Sequence, residues 1–135
     1  MDFLDTNVIL RYLTRDDPVK AERCFDLFQR VKCKEVKLTT SESVLAEVVY
    51  VLSSRSVYNQ GREQVRNLLL PIVSLNGLLV PHRRSFLRAL EVYAVTNMDF
   101  EDCLSLAPME RLNIKTILSY DRDFDRVETI QRREP

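Results

Sequence analysis

Four carboxylate residues, Asp5, Glu47, Asp102 and Asp121, stand where a chain can gather acids at the edge of a sheet. Asp5 ends a short apolar run through Phe3 and Leu4 and marks the start of a helix, while Asp121 follows the run Thr116-Ile117-Leu118-Ser119. Glu47 and Asp102 fall in the first halves of helical segments that follow loops, the end nearest the strand tips, where α/β proteins bind ligands. With the two strands parallel, the four acids can share one crevice, with Asp99 and Asp123 close behind. Carboxylates so gathered repel one another, and a divalent cation resolves the conflict. An all-oxygen donor set without nearby His or Cys favours Mg²⁺ or Mn²⁺ over zinc. The reaction that suits such a site is hydrolysis of a phosphodiester.

The elements that must position these acids follow from periodicity and turn chemistry. Val8, Ile9, Tyr12 and Leu13 recur at helical spacing, and Asp16-Asp17-Pro18 closes that helix and opens a second through Ala21, Cys24, Phe25, Phe28 and Val31. Residues 36–39 are short and β-branched and predict a strand, after which Ser41 caps a helix over 42–54. Glu47 is expected on the edge of that helix's apolar arc. A fourth helix through Val65, Leu68, Leu69 and Ile72 leads to the Asn76-Gly77 turn and a strand over 78–80. Helices follow over Arg83–Val95 and from Asp99 onward, with Asp99 expected as N-cap and Pro108 expected to bend or end the second of them. Strands at 116–119 and, at the edge, 127–130 complete the pattern. Strands separated by helices imply right-handed crossovers, hence an α/β three-layer sandwich with a central, mainly parallel sheet of four or five strands, in a single domain over 1–135.

Composition agrees with one globular domain: 135 residues, 45% of them hydrophobic, suffice for a core. Twenty basic and twenty acidic residues cancel, so only local patches could attract a nucleic acid. Cys24, Cys33 and Cys103 lack the spacing of a zinc site or a disulfide scaffold and read as small core hydrophobes in a reducing cytoplasm. No signal-peptide core or membrane-length apolar run occurs, so a soluble, cytoplasmic protein is expected.

The stretches Asp5-Thr6-Asn7, Leu45-Ala46-Glu47-Val48-Val49-Tyr50-Val51-Leu52, Asp99-Phe100-Glu101-Asp102 and Ser119-Tyr120-Asp121-Arg122-Asp123-Phe124 together resemble the PIN-domain ribonucleases, in particular the VapC-type toxins of toxin–antitoxin pairs. The resemblance spans nearly the whole chain in order and spacing. It implies Mg²⁺- or Mn²⁺-dependent cleavage of RNA, a homodimer, and inhibition by an antitoxin that enters the acidic groove. Residue by residue, it implies that Asp5, Glu47 and Asp102 are the principal acids and Asp121 a more variable fourth. Thr6 and Asn7 match positions that brace the first acid, and Asp99 and Asp123 match supporting acids. Cys103 stands where a small alanine usually follows the third acid.

Each acid alone also has an ordinary reading. Asp5 suits an N-cap, Glu47 a solvated helix position, and Asp121 with Asp123 a polar turn. Their joint order is what argues for a site. Arg11, Arg15 and Arg122 lie where they could grip phosphates or an antitoxin's acids, although surface arginines are commonly just solvated. His82 has no partner for a catalytic pair and suits a loop. A phosphoryl-accepting receiver or phosphatase would want paired acids at the first strand or a nucleophile followed two residues later by another Asp, and Asn7 at that position argues against it. A catalytically silent RNA- or protein-binding module, or a standalone RNA-processing nuclease, would share the fold.

Overall fold

The computed structural model describes residues 1–135. Six helices and five strands alternate along the chain. All strand pairs are parallel: β1 (Asp2–Phe3), β2 (Leu38–Thr39) and β3 (Leu78–Leu79) form one ladder in that order, and β4 (Thr116–Leu118) pairs with β5 (Gln131–Arg133) in another. The chain divides into two compact units, Met1–Arg83 and Arg84–Pro135. No helix is long and apolar enough to cross a membrane.

In the first unit, α1 (Thr6–Thr14) rests on α2 (Pro18–Lys32), with the Tyr12 and Phe28 rings 4.6 Å apart. Asp17 caps α2 by accepting the Lys20 N–H, and Ser41 caps α3 (Glu42–Ser53) by accepting the Val44 N–H. These caps satisfy helix donors that would otherwise lack partners, which is why the turn residues read from sequence mark true boundaries. The buried stripe of α3 is Leu45, Val48, Val49 and Leu52, continued by Val65, Leu69, Ile72 and Val73 of α4 (Arg62–Val73). The Thr40 hydroxyl, buried, donates to the Leu4 carbonyl at 2.9 Å, and so pins the residue before Asp5 to the end of β2.

Gly77 is required by close approach, since no glycine has a positive φ. A Cβ there would lie 2.3 Å from the Val31 carbonyl oxygen and 2.9 Å from that of Val36, both backbone atoms that cannot swing away. Gly77→Ala is therefore expected to cost about 2–3 kcal/mol, read as a lowered melting temperature with an unchanged far-UV spectrum.

In the second unit, α5 (Arg83–Val95) and α6 (Phe100–Arg111) meet through Phe100, whose ring lies 5.2 Å from Phe86 and 5.6 Å from Tyr93 in edge-to-face contacts. That aromatic anchor fixes the first turn of α6, where Asp102 sits. Three expectations need correction. Pro108 does not end α6, which runs on to Arg111; the buried Met109 holds the final turn in place despite the hydrogen bond that proline forfeits. The last strand is Gln131–Arg133 rather than 127–130, because backbone pairing with β4 outweighs the apolar pattern of the preceding turn. Among the cysteines only Cys103 is buried; Cys33 is exposed at the end of α2 and Cys24 is half-buried.

Candidate metal centre

The second unit gathers three of the acids. One carboxylate oxygen each from Asp102, Asp121 and Asp123 lies within 4.8 Å of the others. Asp102 reaches the group from the first turn of α6, and Asp121 and Asp123 come from the turn after β4. That turn is built by side chains on backbone: the Ser119 hydroxyl accepts the Asp121 N–H at 2.9 Å, and Asp121 Oδ1 accepts the Asp123 N–H at 2.9 Å. The second bond makes Asp121 the N-cap of a 3-10 turn over Arg122–Arg126, locked from below by the buried Phe124. The ordinary polar-turn reading of Asp121 is thus correct and compatible with a site, because only one of its oxygens is used.

Asp102 is the unusual member. Its Oδ2 is shut off from solvent and has no hydrogen-bond partner. Desolvation raises its pKa above the ordinary aspartate value, and the charges of Asp121, Asp99, Asp123 and Glu101 push in the same direction. A buried carboxylate oxygen without a partner is costly unless something positive meets it. Cys103 offers no competing soft ligand, since it is buried with its Sγ 3.9 Å from the Met98 carbonyl. The donor set is oxygen alone and fits a hard divalent cation.

Arg132 holds this arrangement together. Its guanidinium donates to the Ser119 carbonyl at 2.9 Å, to both Asp125 oxygens at 2.9 and 3.3 Å, and to Glu134 at 3.1 Å. The side chain is only 12% exposed, so these bonds tie the tip of β4 to the far end of the 3-10 turn. Nothing in the sequence distinguishes Arg132 from its neighbour Arg133. Arg132→Ala is expected to weaken divalent-cation affinity by roughly 10- to 100-fold, the range typical of residues that orient ligands, as read by calorimetric titration.

In the first unit, Asp5 is exposed and occupies the N-cap position of α1, yet its side chain makes no capping bond. The bland N-cap reading therefore fails for its carboxylate. Thr6 and Asn7 open α1, Thr6 half-buried and Asn7 exposed. Glu47 is exposed on α3, is not among the buried residues of its stripe, and has no ion pair. Asp99, in the second unit, precedes α6 without a side-chain capping bond, and its part is to add negative charge near Asp102. Asp123, expected as a supporting acid, stands in the carboxylate trio itself.

Of the three arginines, Arg11 is engaged with Asp16 at 2.8 Å, whose other oxygen accepts the Tyr58 hydroxyl at 2.6 Å. The Tyr58 and Arg11 hydrogen bonds lower the Asp16 pKa to about 2. A depressed carboxyl stabilises the fold above its unfolded pKa, roughly 4, and that contribution is lost as pH falls toward 2. Tyr58→Phe is expected to move the Asp16 titration upward, toward the ordinary value, in a ¹³C-detected carboxyl titration. Arg15 ends α1 in the left-handed region at φ 55° and borders a shallow cleft with Pro18, Ala21, Glu22 and Phe25. Arg122 is exposed in the 3-10 turn, beside Asp121, without a partner. His82 is exposed at φ 51°, a loop position as expected.

A model of the PIN domain matches residues 3–130. The chain belongs to the PIN-domain family. Its parallel strands and six helices are those of the α/β PIN fold that the sequence resemblance implied. Among characterised proteins, a VapC ribonuclease of Aquifex aeolicus (strain VF5) is 29% identical over 128 residues, which is 94% of this chain and 92% of that protein. Among solved structures, the Mycobacterium tuberculosis VapC20 toxin, described as cleaving the sarcin-ricin loop, is 19% identical, with 97% of this chain and 98% of that one covered and a TM-score of 0.39.

Proposed function

We propose that this PIN domain is a metal-dependent endoribonuclease, the toxin of a toxin–antitoxin pair, working as a single domain. The observation that carries the proposal is the trio of Asp102, Asp121 and Asp123, with Asp102 Oδ2 buried and unpartnered, in a chain of this family. The VapC ribonuclease relative supports RNA as the substrate. An antitoxin partner, a homodimer and action in the cytoplasm are part of the same proposal.

Asp102, Asp121 and Asp123 would hold Mg²⁺ or Mn²⁺, and Asp5 and Glu47 are proposed to serve the same reaction as further ligands or as proton acceptors. When bound, the cation supplies neutralising charge and Lewis acidity toward a phosphate oxygen. Asp102 contributes a carboxylate whose Oδ2 is closed to solvent and free of other partners. Asp121, the exposed member of the trio, has Oδ2 free of the turn's hydrogen bond and can accept the proton of the attacking water there. Arg122 offers an unpaired guanidinium one residue away for the substrate's phosphate. Arg126, 4.0 Å from Asp123, balances that acid from the outer side of the turn.

The test is cleavage of a labelled RNA pool by purified protein with Mg²⁺ or Mn²⁺ against chelator. Metal-dependent cutting is expected, with a sequence preference readable from the product ends. RNA left intact under both metals, by protein shown to be folded, would reject the enzyme and leave a silent binding module.

A further inference from the structure

Tyr120 precedes Asp121 and is 70% exposed, with no hydrogen bond and no ring contact. An exposed tyrosine is ordinary on a mobile loop. This one is not on a loose loop, because both its neighbours are tied down. The Ser119 N–H donates to the Arg133 carbonyl at 3.0 Å, and the Ser119 carbonyl accepts from Arg132 at 2.9 Å. On the other side, the Asp121 N–H is held by the Ser119 hydroxyl at 2.9 Å, and the Asp121 carboxylate caps the following turn. The backbone of Tyr120 is therefore fixed while its ring is left bare, one residue after a tethered strand end and one before a carboxylate of the trio. Such a ring loses little conformational entropy on contact, having two side-chain torsions.

Along the chain the order is an aromatic ring, a carboxylate of the trio and an unpaired arginine: Tyr120, Asp121, Arg122. A polyanion approaching an acidic cluster is repelled, so contacts that do not depend on charge carry part of its binding. An aromatic face does so by stacking on a base, whatever the base's identity.

We propose that Tyr120 is a stacking platform for an unpaired nucleobase of the substrate, so that the bond cut lies beside a nucleotide taken out of a duplex. The proposal rests on the ribonuclease reading and adds to it a residue that positions the substrate. Base-paired RNA presents its faces to neighbouring bases and leaves none for the ring.

The chain contains no tryptophan, so Tyr120→Trp creates a single emitting reporter at the platform. In an Asp102→Asn background, which blocks turnover and removes one repelling charge, a single-stranded oligoribonucleotide is expected to quench that emission saturably. The same strand annealed to its complement is expected not to. In the protein with its carboxylates intact, Tyr120→Ala should raise KM by roughly 10- to 100-fold with kcat little changed, and Tyr120→Phe should restore KM. RNA binding seen by anisotropy with unperturbed tryptophan emission, or an unchanged KM in Tyr120→Ala, would overturn this inference alone. No RNA binding by the native protein at all would overturn it together with the ribonuclease reading.

Discussion

Asp102→Asn is expected to abolish metal-dependent cleavage and at the same time to make the metal-free protein more stable. Both results come from the same atoms. Asp102 Oδ2 is buried without a partner, beside two other carboxylates, and its pKa is raised by desolvation and by Asp121, Asp99, Asp123 and Glu101. Without a cation, the ionised form is a strained one. Because the folded pKa lies above the unfolded value, the folded chain binds more protons, and stability falls as pH rises from the unfolded pKa through the raised one. Above that window the penalty is constant. An amide removes the charge at little cost in shape, so the metal-free melting transition at neutral pH should rise by about 1 kcal/mol, or a few degrees. The loss in cation affinity should exceed the roughly 10- to 100-fold associated with residues that merely orient ligands. Protons compete with the cation, so native activity should decline on acidification sooner than an ordinary aspartate would dictate. A stabilised Asp102→Asn with full activity would remove this residue from the site.

Asp5→Asn is expected to reduce cleavage as severely while leaving stability within about 0.5 kcal/mol. The side chain is exposed, and although it occupies the N-cap position of α1 it makes no capping bond. The usual penalty for losing an aspartate cap, about 1 kcal/mol, therefore does not apply, and asparagine is as good a cap as aspartate. What anchors this end of β1 is the buried Thr40 hydroxyl on the Leu4 carbonyl, which the substitution does not touch. A normal melting curve with lost activity is the signature of a charge needed for chemistry. Normal activity in Asp5→Asn would confine the reaction to the acids of the second unit. Glu47→Gln, also exposed and unpaired, provides the matching comparison.

The parts of the molecule that were legible in the sequence are those set by local chemistry. Ser41 and Asp17 mark helix starts because their side chains accept N–H groups three residues on. Asp102 and Asp121 are legible as neighbours because a helix start and a strand end are both local signals. The closeness of Asp123 to Asp102 and Asp121 is not legible in the sequence, because it depends on the bond from its own N–H to Asp121, a turn detail that residue spacing does not encode. Arg132 was invisible for a stronger reason: its partners Ser119 and Asp125 lie thirteen and seven residues away and meet it only once β4 and β5 have paired. That pairing also explains the misplaced last strand, since Gln131–Arg133 is polar and exposed at its edges and carries no apolar alternation. Gly77 was read as a turn signal, whereas the Val31 and Val36 carbonyls impose it.

The most direct measurement is a Mn²⁺ titration of the purified protein followed by electron paramagnetic resonance, with Asp102→Asn alongside. The free-ion signal should be depleted by the native protein and not by the variant, with Mg²⁺ displacing the bound ion. Equal depletion by both proteins would place the cation elsewhere and contradict the account.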